Sequence, residues 1–379
     1  MFDKVLYITK SRLHYYPPCV SQIKMLKDLK CDVTVLYGSC EENVLEELRL
    51  LGIECVQLSD SRNKLPGALD KVLNWVLFRK SLTAYLKSVD KETTLLWFGN
   101  AETLLPMKGG LAGFSYVITY LELLDTMKMR LLLLKGVSQK AKAVVTCEET
   151  RSYLMKYWFD LKKLPYTMPN KPYAVQAKRN CVPTTDKGRD ILKKVNGRKF
   201  VIYQGIFQDF DYLKCVAEVL RKEFPDYCFV MMGIDKNHVV DRIKKINPNT
   251  IYSDYIPAPK HLEVTANADI GLLFYNPDSL NKAFCAPNKI FEYSYFGLPI
   301  LGNNIPGLRN TIGSAKAGEC VEFTFDNVSR ALHKMIENYN EYTKFSRAFY
   351  DSVDNLKTME AIVNEVQVLK GDSNNERAQ

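Results

Sequence analysis

The strongest constraint on how this chain folds is a rhythm that runs through it twice. Short apolar runs alternate with longer amphipathic ones. The first series opens with Lys4–Ile8, an amphipathic stretch near Val20–Leu29, then Val33–Tyr37, Glu41–Leu51 and Ile53–Gln57. Strands that alternate with helices in this way predict a parallel, doubly wound sheet. The series resumes with a helix at Val72–Lys87, strands at Thr94–Phe98 and Tyr116–Tyr120, a helix at Leu131–Lys140, a strand at Ala143–Thr146 and a helix at Glu148–Trp158.

A polar stretch from Tyr173 to Gly188, with Pro183 inside it and Pro172 before it, interrupts the pattern and reads as a linker region. The second series then begins. Strands are expected at Lys199–Tyr203, Tyr227–Met232, Thr250–Tyr252, Ile270–Phe274, Pro299–Leu301 and Cys320–Phe323. Helices are expected at Tyr212–Glu223, Val239–Ile246 and Lys260–Asn267, and two long helical stretches, Asn327–Tyr339 and Glu341–Lys370, close the chain. The expected fold class is α/β, with two Rossmann-like doubly wound domains facing across a cleft. Ligands bind such sheets at the carboxyl ends of the strands. The expected boundaries are an N-terminal domain over 1–172, a linker region over 173–190, a C-terminal domain over 191–340, a helical segment over 341–370 and a disordered polar tail over 371–379.

Composition narrows the chemistry. At 379 residues and 46% hydrophobic content the chain can build two ordinary cores. No apolar run reaches the roughly 18 residues needed to span a bilayer. The start, Met1 to Ile8, is a strand pattern rather than a secretory signal. Ten cysteines occur with no Cys-x-x-Cys, which fits free thiols in a reducing cytosol, so a cytoplasmic location is expected. Four isolated histidines make a His-based metal site improbable, and no metal is expected. The net charge of +9 falls unevenly: residues 1–180 hold 27 Lys and Arg against 18 Asp and Glu, whereas residues 181–379 hold 25 of each. That asymmetry points to an anionic partner for the first half, such as the inner face of a membrane. Nothing in it asks for nucleic acid. Met127–Lys135, with Lys140 and Lys142, mixes apolar and basic residues. Lys24, Lys27, Lys30, Arg79 and Lys80 add to the basic set. This is either a solvated helix face or an amphipathic membrane-contacting surface.

The run Ala286-Pro287-Asn288-Lys289-Ile290-Phe291-Glu292-Tyr293, closed by Gly297-Leu298-Pro299-Ile300, predicts a short helix with sharp ends. Asn288 suits the N-cap, Gly297 the left-handed position past the last turn, and Pro299 cannot continue the helix. A helix start offers unpaired N–H groups and the positive end of a dipole, which suits a phosphate. Lys289 adds a positive charge. Glu292, about one turn on, can accept hydrogen bonds from a sugar diol. A plain core helix of an α/β domain fits the same spacing.

This segment closely resembles the Pro-Asn-Lys-Ile/Leu-Phe-Glu-Tyr…Gly-Leu-Pro signature of GT-B-fold glycosyltransferases of the family 4 type. The resemblance covers nearly the whole second half in order and spacing; the first half matches only in its strand–helix rhythm. It implies that Asn288 and Lys289 at the helix start hold the donor diphosphate and that Glu292 binds the ribose hydroxyls. Gly205, directly after a strand, would border the donor phosphates, although a turn residue is the plain alternative. Tyr255 and Ile256, in Ser253–Pro257, match the loop that receives the nucleotide base, or form an ordinary strand-to-helix loop. Two departures stand out. Relatives carry cations where this chain has Gln208, Asp209, Phe210 and Asp211, and an additional Glu where it has Phe284. Asp209-Phe210-Asp211 also has the form of the metal motif of GT-A enzymes, but acidic residues at a helix start explain it as well. In the first half Glu122 falls where relatives place an acidic residue near the acceptor, or is a helix-start acid. Tyr15 and Tyr16, in the loop after the first strand, are aromatic candidates for stacking on sugar rings.

The resemblance implies a retaining, metal-independent hexosyltransferase that uses a nucleoside diphosphate sugar as co-substrate and no cofactor. The acceptor would be a glycan or a lipid-linked precursor in surface polysaccharide biosynthesis, with Lys289 and Glu122 as the catalytic candidates. Two other readings keep the fold. One is a catalytically silent GT-B subunit that binds a partner enzyme. The other is a sugar-nucleotide 2-epimerase, which needs several titratable groups near the sugar.

Overall fold

The computed structural model describes residues 2–58, 68–107 and 109–377. The chain divides into two units, Met1–Tyr173 with Asp354–Gln379, and Ala174–Val353. The first unit runs β1 (Lys4–Arg12), α1 (Pro17–Asp28), β2 (Asp32–Ser39), α2 (Glu42–Leu50), β3 (Glu54–Gln57), α3 (Ala68–Leu86), β4 (Thr94–Phe98), α4 (Ala101–Leu104), β5 (Ser115–Tyr120), α5 (Lys128–Gln139), β6 (Ala143–Thr146), α6 (Glu149–Phe159) and β7 (Tyr166–Thr167). The second runs α7 (Asp186–Val195), β8 (Phe200–Ile206), α8 (Phe210–Glu223), β9 (Cys228–Ile234), α9 (Val239–Ile246), β10 (Thr250–Ser253), α10 (Leu262–Thr265), β11 (Ile270–Leu273), α11 (Leu280–Ala283), α12 (Asn288–Tyr295), β12 (Ile300–Asn303), α13 (Pro306–Leu308), β13 (Gly318–Val321), α14 (Phe325–Glu337) and α15 (Tyr339–Ser352). The last helix, α16 (Asn355–Arg377), returns to the first unit.

Both sheets are parallel throughout. The first has the order β3-β2-β1-β4-β5-β6-β7 and the second β10-β9-β8-β11-β12-β13. Counted from its own first strand, each follows the Rossmann order 3-2-1-4-5-6, with one extra strand on the first sheet. The central strands explain why. All five residues of β4 are buried, as are Val5 to Ile8 of β1, because helices cover both faces of the sheet.

Three expectations need correction. The linker region does not stay irregular to residue 190. Helix α7 starts at Asp186, capped by the Thr185 hydroxyl accepting from Gly188 N–H, and buries Ile191 and Val195 in the second core. The single stretch Glu341–Lys370 is two helices, broken at Val353, whose backbone is extended (φ −98°, ψ 117°). The Asp354 carboxylate then accepts from Lys357 N–H and starts α16. Before the break Tyr342 and Tyr350 sit in second-unit cores; after it Met359, Ile362 and Val366 sit in a first-unit core. The disordered tail is instead a continuation of α16 to Arg377, with Ala378 and Gln379 outside the described residues.

This exchange of segments also removes the charge asymmetry. With Lys178 and Arg179 falling in the second unit and α16 counted where it packs, the first unit holds 28 Lys and Arg against 23 Asp and Glu, a net of +5, and the second holds 24 against 20, a net of +4. None of the ten cysteines is in a disulfide.

Candidate functional site

In the second unit the strand order reverses between β8 and β11, and the crevice beyond their carboxyl ends is the natural ligand position of such a sheet. Gly205, near the end of β8, has φ +135°, a conformation that a residue with a Cβ rarely adopts. A Cβ there would also lie 3.3 Å from Lys289 Cε and 3.4 Å from its Nζ. The lysine therefore lies across the bare α-carbon of Gly205, which brings together two candidates 84 residues apart in sequence.

Lys289 stands in the first turn of α12. Asn288 is not the N-cap, as expected, but the first helical residue. Pro287 holds the cap position in extended geometry (φ −74°, ψ 148°), and no side chain caps the helix. Proline has no side-chain acceptor, so the helix start keeps its affinity for an anion. The other end behaves as the sequence predicts. Gly297 has φ +68°, with Leu298 N–H donating to Tyr293 O and Gly297 N–H to Ser294 O, a Schellman closure. Burial pushes the Lys289 pKa down, Glu292 and then Cys285 pull it back, and the result stays below the ordinary lysine value. A cation destabilised by burial gains from any anion brought beside it.

Glu292, one turn along, is 6% exposed and gripped by its own protein. Gln204 Nε2 donates to its Oε2 at 2.5 Å, and His261 Nε2 stands 3.4 Å from its Oε1. Thr265 Oγ1 in turn donates to Gln204 Oε1 at 2.7 Å. Burial pushes the Glu292 carboxyl up, but His261, Lys289 and Gln204 together pull harder and hold it below the usual carboxylate range. Glu292 is therefore an anion at neutral pH, with lone pairs in addition to the two engaged.

The remaining second-unit candidates sit on nearby strand ends. Tyr255 is 39% exposed, whereas the Ile256 side chain is buried in the core, so only its backbone is free for recognition. Lys187 of α7 braces this loop, its Nζ 2.6 Å from Asp254 Oδ1 and donating to Tyr255 O at 3.3 Å. Asp211 lies in the first turn of α8, directly after Asp209, which is the helix-start arrangement. Burial raises the Asp209 pKa, with Lys282 opposing and Asp278 adding to the rise.

The first-unit candidates share its carboxyl end but have different settings. Tyr15 is 55% exposed, and its hydroxyl accepts from Arg12 Nη1 at 3.0 Å. Tyr16 is half-buried at the start of α1 and packs on the core. Glu122 is exposed on the bend after β5, six residues before α5 starts, so it is not a helix-start acid. Arg151, buried in α6, fixes this bend by donating to Leu121 O at 2.8 Å. Among the described residues no cluster of three or more His, Cys, Asp or Glu could hold a metal ion.

Sequence reasoning missed Gln204, His261, Thr265 and Lys187. Gln204, Lys187 and the His261–Thr265 segment lie far apart in sequence and carry no motif, and the fold of the second unit brings them together.

No family model matches the chain, and no curated protein matches its sequence. Solved structures do match its fold. A glycosyltransferase from Rickettsia africae has 13% identity over 98% of each chain, with TM-score 0.66. The Anabaena protein HepE, in complex with UDP and glucose, has 11% identity over 96% of this chain and 99% of that one, with TM-score 0.68. A putative UDP-N-acetylglucosamine 2-epimerase from Listeria monocytogenes has 9% identity over 97% of this chain and 96% of that one, with TM-score 0.64. At such identities the likeness concerns architecture. The fold is GT-B, two Rossmann-like α/β domains.

Proposed function

We propose that the chain is a retaining glycosyltransferase that moves a sugar from a nucleoside diphosphate sugar to a hydroxyl of a glycan or lipid-linked acceptor. The observation that carries this is the second-unit crevice. There Lys289 lies over Gly205 at a helix start without a side-chain cap, and the Glu292 anion follows one turn later. Diphosphate oxygens would meet the helix N–H groups and the ammonium, the ribose diol would meet Glu292, and Tyr255 would stack on the base. As the bond from the anomeric carbon to the diphosphate breaks, its electron pair passes to the leaving oxygen, whose growing charge Lys289 and the helix dipole stabilise. The acceptor oxygen bonds to the anomeric carbon on the same face, and its proton passes to the departing diphosphate. No protein base of high strength is needed, and no metal enters the scheme. Glu122 would orient the acceptor hydroxyl, with Tyr15 and Tyr16 beside the acceptor. Surface polysaccharide assembly on the cytoplasmic side of a membrane would use such a reaction.

Thermal melting in a panel of nucleoside diphosphate sugars with different bases tests the donor. A ligand at about 100 times its dissociation constant adds about 2.7 kcal/mol of stability. Glu292→Gln should then weaken binding of the responding donor by about 1.5–3 kcal/mol, the range for a hydrogen bond to a charged group. Unchanged affinity by calorimetry would remove the ribose assignment. A 2-epimerase reading draws on the buried His261–Glu292 pair and on the shared fold. It predicts interconversion of the nucleotide sugar with no acceptor present, whereas a transferase gives slow hydrolysis.

The lipid-linked acceptor draws support from two helices of the first unit. In α5, Met129, Leu132 and Leu133 are 69%, 67% and 36% exposed, a spacing that places them on one outward face. Lys128 is exposed beside them, and Arg130 and Lys135 are half-buried. In α3, Val72 and Val76 are 60% and 58% exposed, followed by exposed Arg79 and Lys80. Both helices pack against the Leu105–Met107 turn. Apolar residues turned outward among cations suit an anionic lipid surface, each cation contributing about 1 kcal/mol there. No described helix is long and apolar enough to cross a membrane. Vesicles containing anionic lipid should sediment the protein at low salt and release it at high salt, and neutral vesicles should not bind it. Changing Lys128, Arg130 and Lys135 to Glu together should abolish sedimentation and leave donor binding intact. Sedimentation that persists would assign the charge to another partner.

A further inference from the structure

We infer that His261 is a positioning residue for the donor, acting through the Glu292 carboxylate. The inference rests on the assignment of Glu292 to the ribose. His261 directly precedes α10 and is 31 residues from Glu292 in sequence, yet its Nε2 stands 3.4 Å from Glu292 Oε1. The side chains are 15% and 8% exposed. A carboxylate this buried has few ways to keep one rotamer and its charge. Gln204 holds one oxygen, and His261 is the side chain that holds the other.

The two grips share a frame. Thr265, one turn into α10, donates to Gln204 Oε1 and also to His261 O at 3.2 Å. The strand that carries Gly205 and the helix that follows His261 are thereby locked to the same carboxylate. Hydrogen bonds linked in series in a low-dielectric site polarise one another and hold geometry more tightly than the separate bonds would. His261 Nδ1 has a different setting: it is buried and has no hydrogen-bond partner among the described residues. A buried ring nitrogen left unpaired carries a desolvation cost, and an arrangement kept at such a cost needs an offsetting gain. The contact of the opposite nitrogen with Glu292 supplies one.

This role makes a specific pattern. His261→Phe keeps the ring volume and loses the Nε2–H. It should weaken donor binding about tenfold, as expected for a hydrogen bond to a charged group. The effect should appear in KM, with kcat within about twofold, because the ribose is remote from the breaking bond and its binding is alike in ground and transition states. His261→Gln, whose amide reaches the position of Nε2, should restore most of the affinity. The same His261→Phe change made in the Glu292→Gln background should cost less than about twofold, since the two residues act through one interaction.

Calorimetry with the free nucleoside diphosphate and steady-state kinetics on wild type and these four variants decide the matter. A full tenfold loss in both backgrounds would overturn the inference, as would no loss in either or a Gln variant no better than Phe. If wild type binds and Glu292→Gln has no effect, the ribose assignment fails first and takes this inference with it. If Glu292→Gln weakens binding and His261→Phe does not, the assignment stands and the positioning role alone is lost.

Discussion

Replacing Lys289 with Met should cut sugar transfer about 10²–10³-fold at saturating donor, the effect of losing one preorganised donor to a developing oxyanion. Donor affinity should fall far less, because charge on the diphosphate oxygen grows mainly as the sugar leaves. The methionine keeps the length of the stem over Gly205, so the crevice keeps its shape. The melting temperature should change little. The substitution removes a charge that burial disfavours, and this offsets the lost attraction to Glu292.

The pH dependence follows from the direction of the lysine shift. Its folded pKa lies below the ordinary 10.5, so between the two values the unfolded chain binds more protons and this residue's contribution to stability rises with pH. Turnover has the opposite sign, since it needs the ammonium. At donor concentrations well below KM, where the free enzyme's groups govern the rate, transfer should therefore decline at a lower pH than an ordinary lysine would allow, and the Lys289→Met variant should lack that alkaline limb. Glu292 acts at the other end of the scale. Its folded pKa is depressed, so its stabilising contribution is present above the unfolded value and is lost as pH falls through the folded one. A Lys289→Met enzyme with normal kcat and a raised KM would make the lysine a binding group only.

Much of the architecture was legible because period and punctuation are local signals. Apolar runs such as Leu95–Phe98 and Val144–Val145, set between amphipathic stretches, read as buried strands, and Gly297 with Pro299 reads as a helix end. The crossing of the chain at Val353 was not legible, because Tyr350 and Met359 have the same helical spacing though they belong to different cores. The charge count failed in part for the same reason and in part because Lys178 and Arg179 belong to the second unit. Half of the candidate site was visible: Gly205 is itself a turn signal, and Lys289 and Glu292 lie in a run with helix-start and helix-end signals. Gln204, His261 and Thr265 have none, and their meeting depends on α10 and α12 both packing at the end of β8. Sequence read the outward face of α5 as mixed; only exposure separates Leu132, which faces out, from buried Leu134.

The close approach of α12 to its sheet is the feature whose removal should cost the most. Gly271, in β11, has no side chain where the Tyr293 ring lies: a Cβ there would be 2.4 Å from Tyr293 Cδ2 and 2.6 Å from Cγ. Tyr293 is fully buried, and its hydroxyl donates to Leu272 O at 3.2 Å. Gly271→Ala must therefore lift α12 or force the ring from its rotamer, and overpacking of this kind costs about 1–3 kcal/mol. Tyr293→Ala removes the ring itself and should cost about 3–5 kcal/mol, as for other large aromatic truncations. Urea unfolding reads both. The two changes share one contact, so Gly271→Ala made in the Tyr293→Ala background should add almost nothing. The functional consequence is the sharper test. If the start of α12 moves by about 1 Å relative to Gly205, turnover should fall about 10²-fold even where the protein stays folded. Gly271→Ala should thus damage transfer at temperatures well below its melting point. A variant that melts with wild type and turns over normally would show that α12 does not need this contact to hold Lys289 in place.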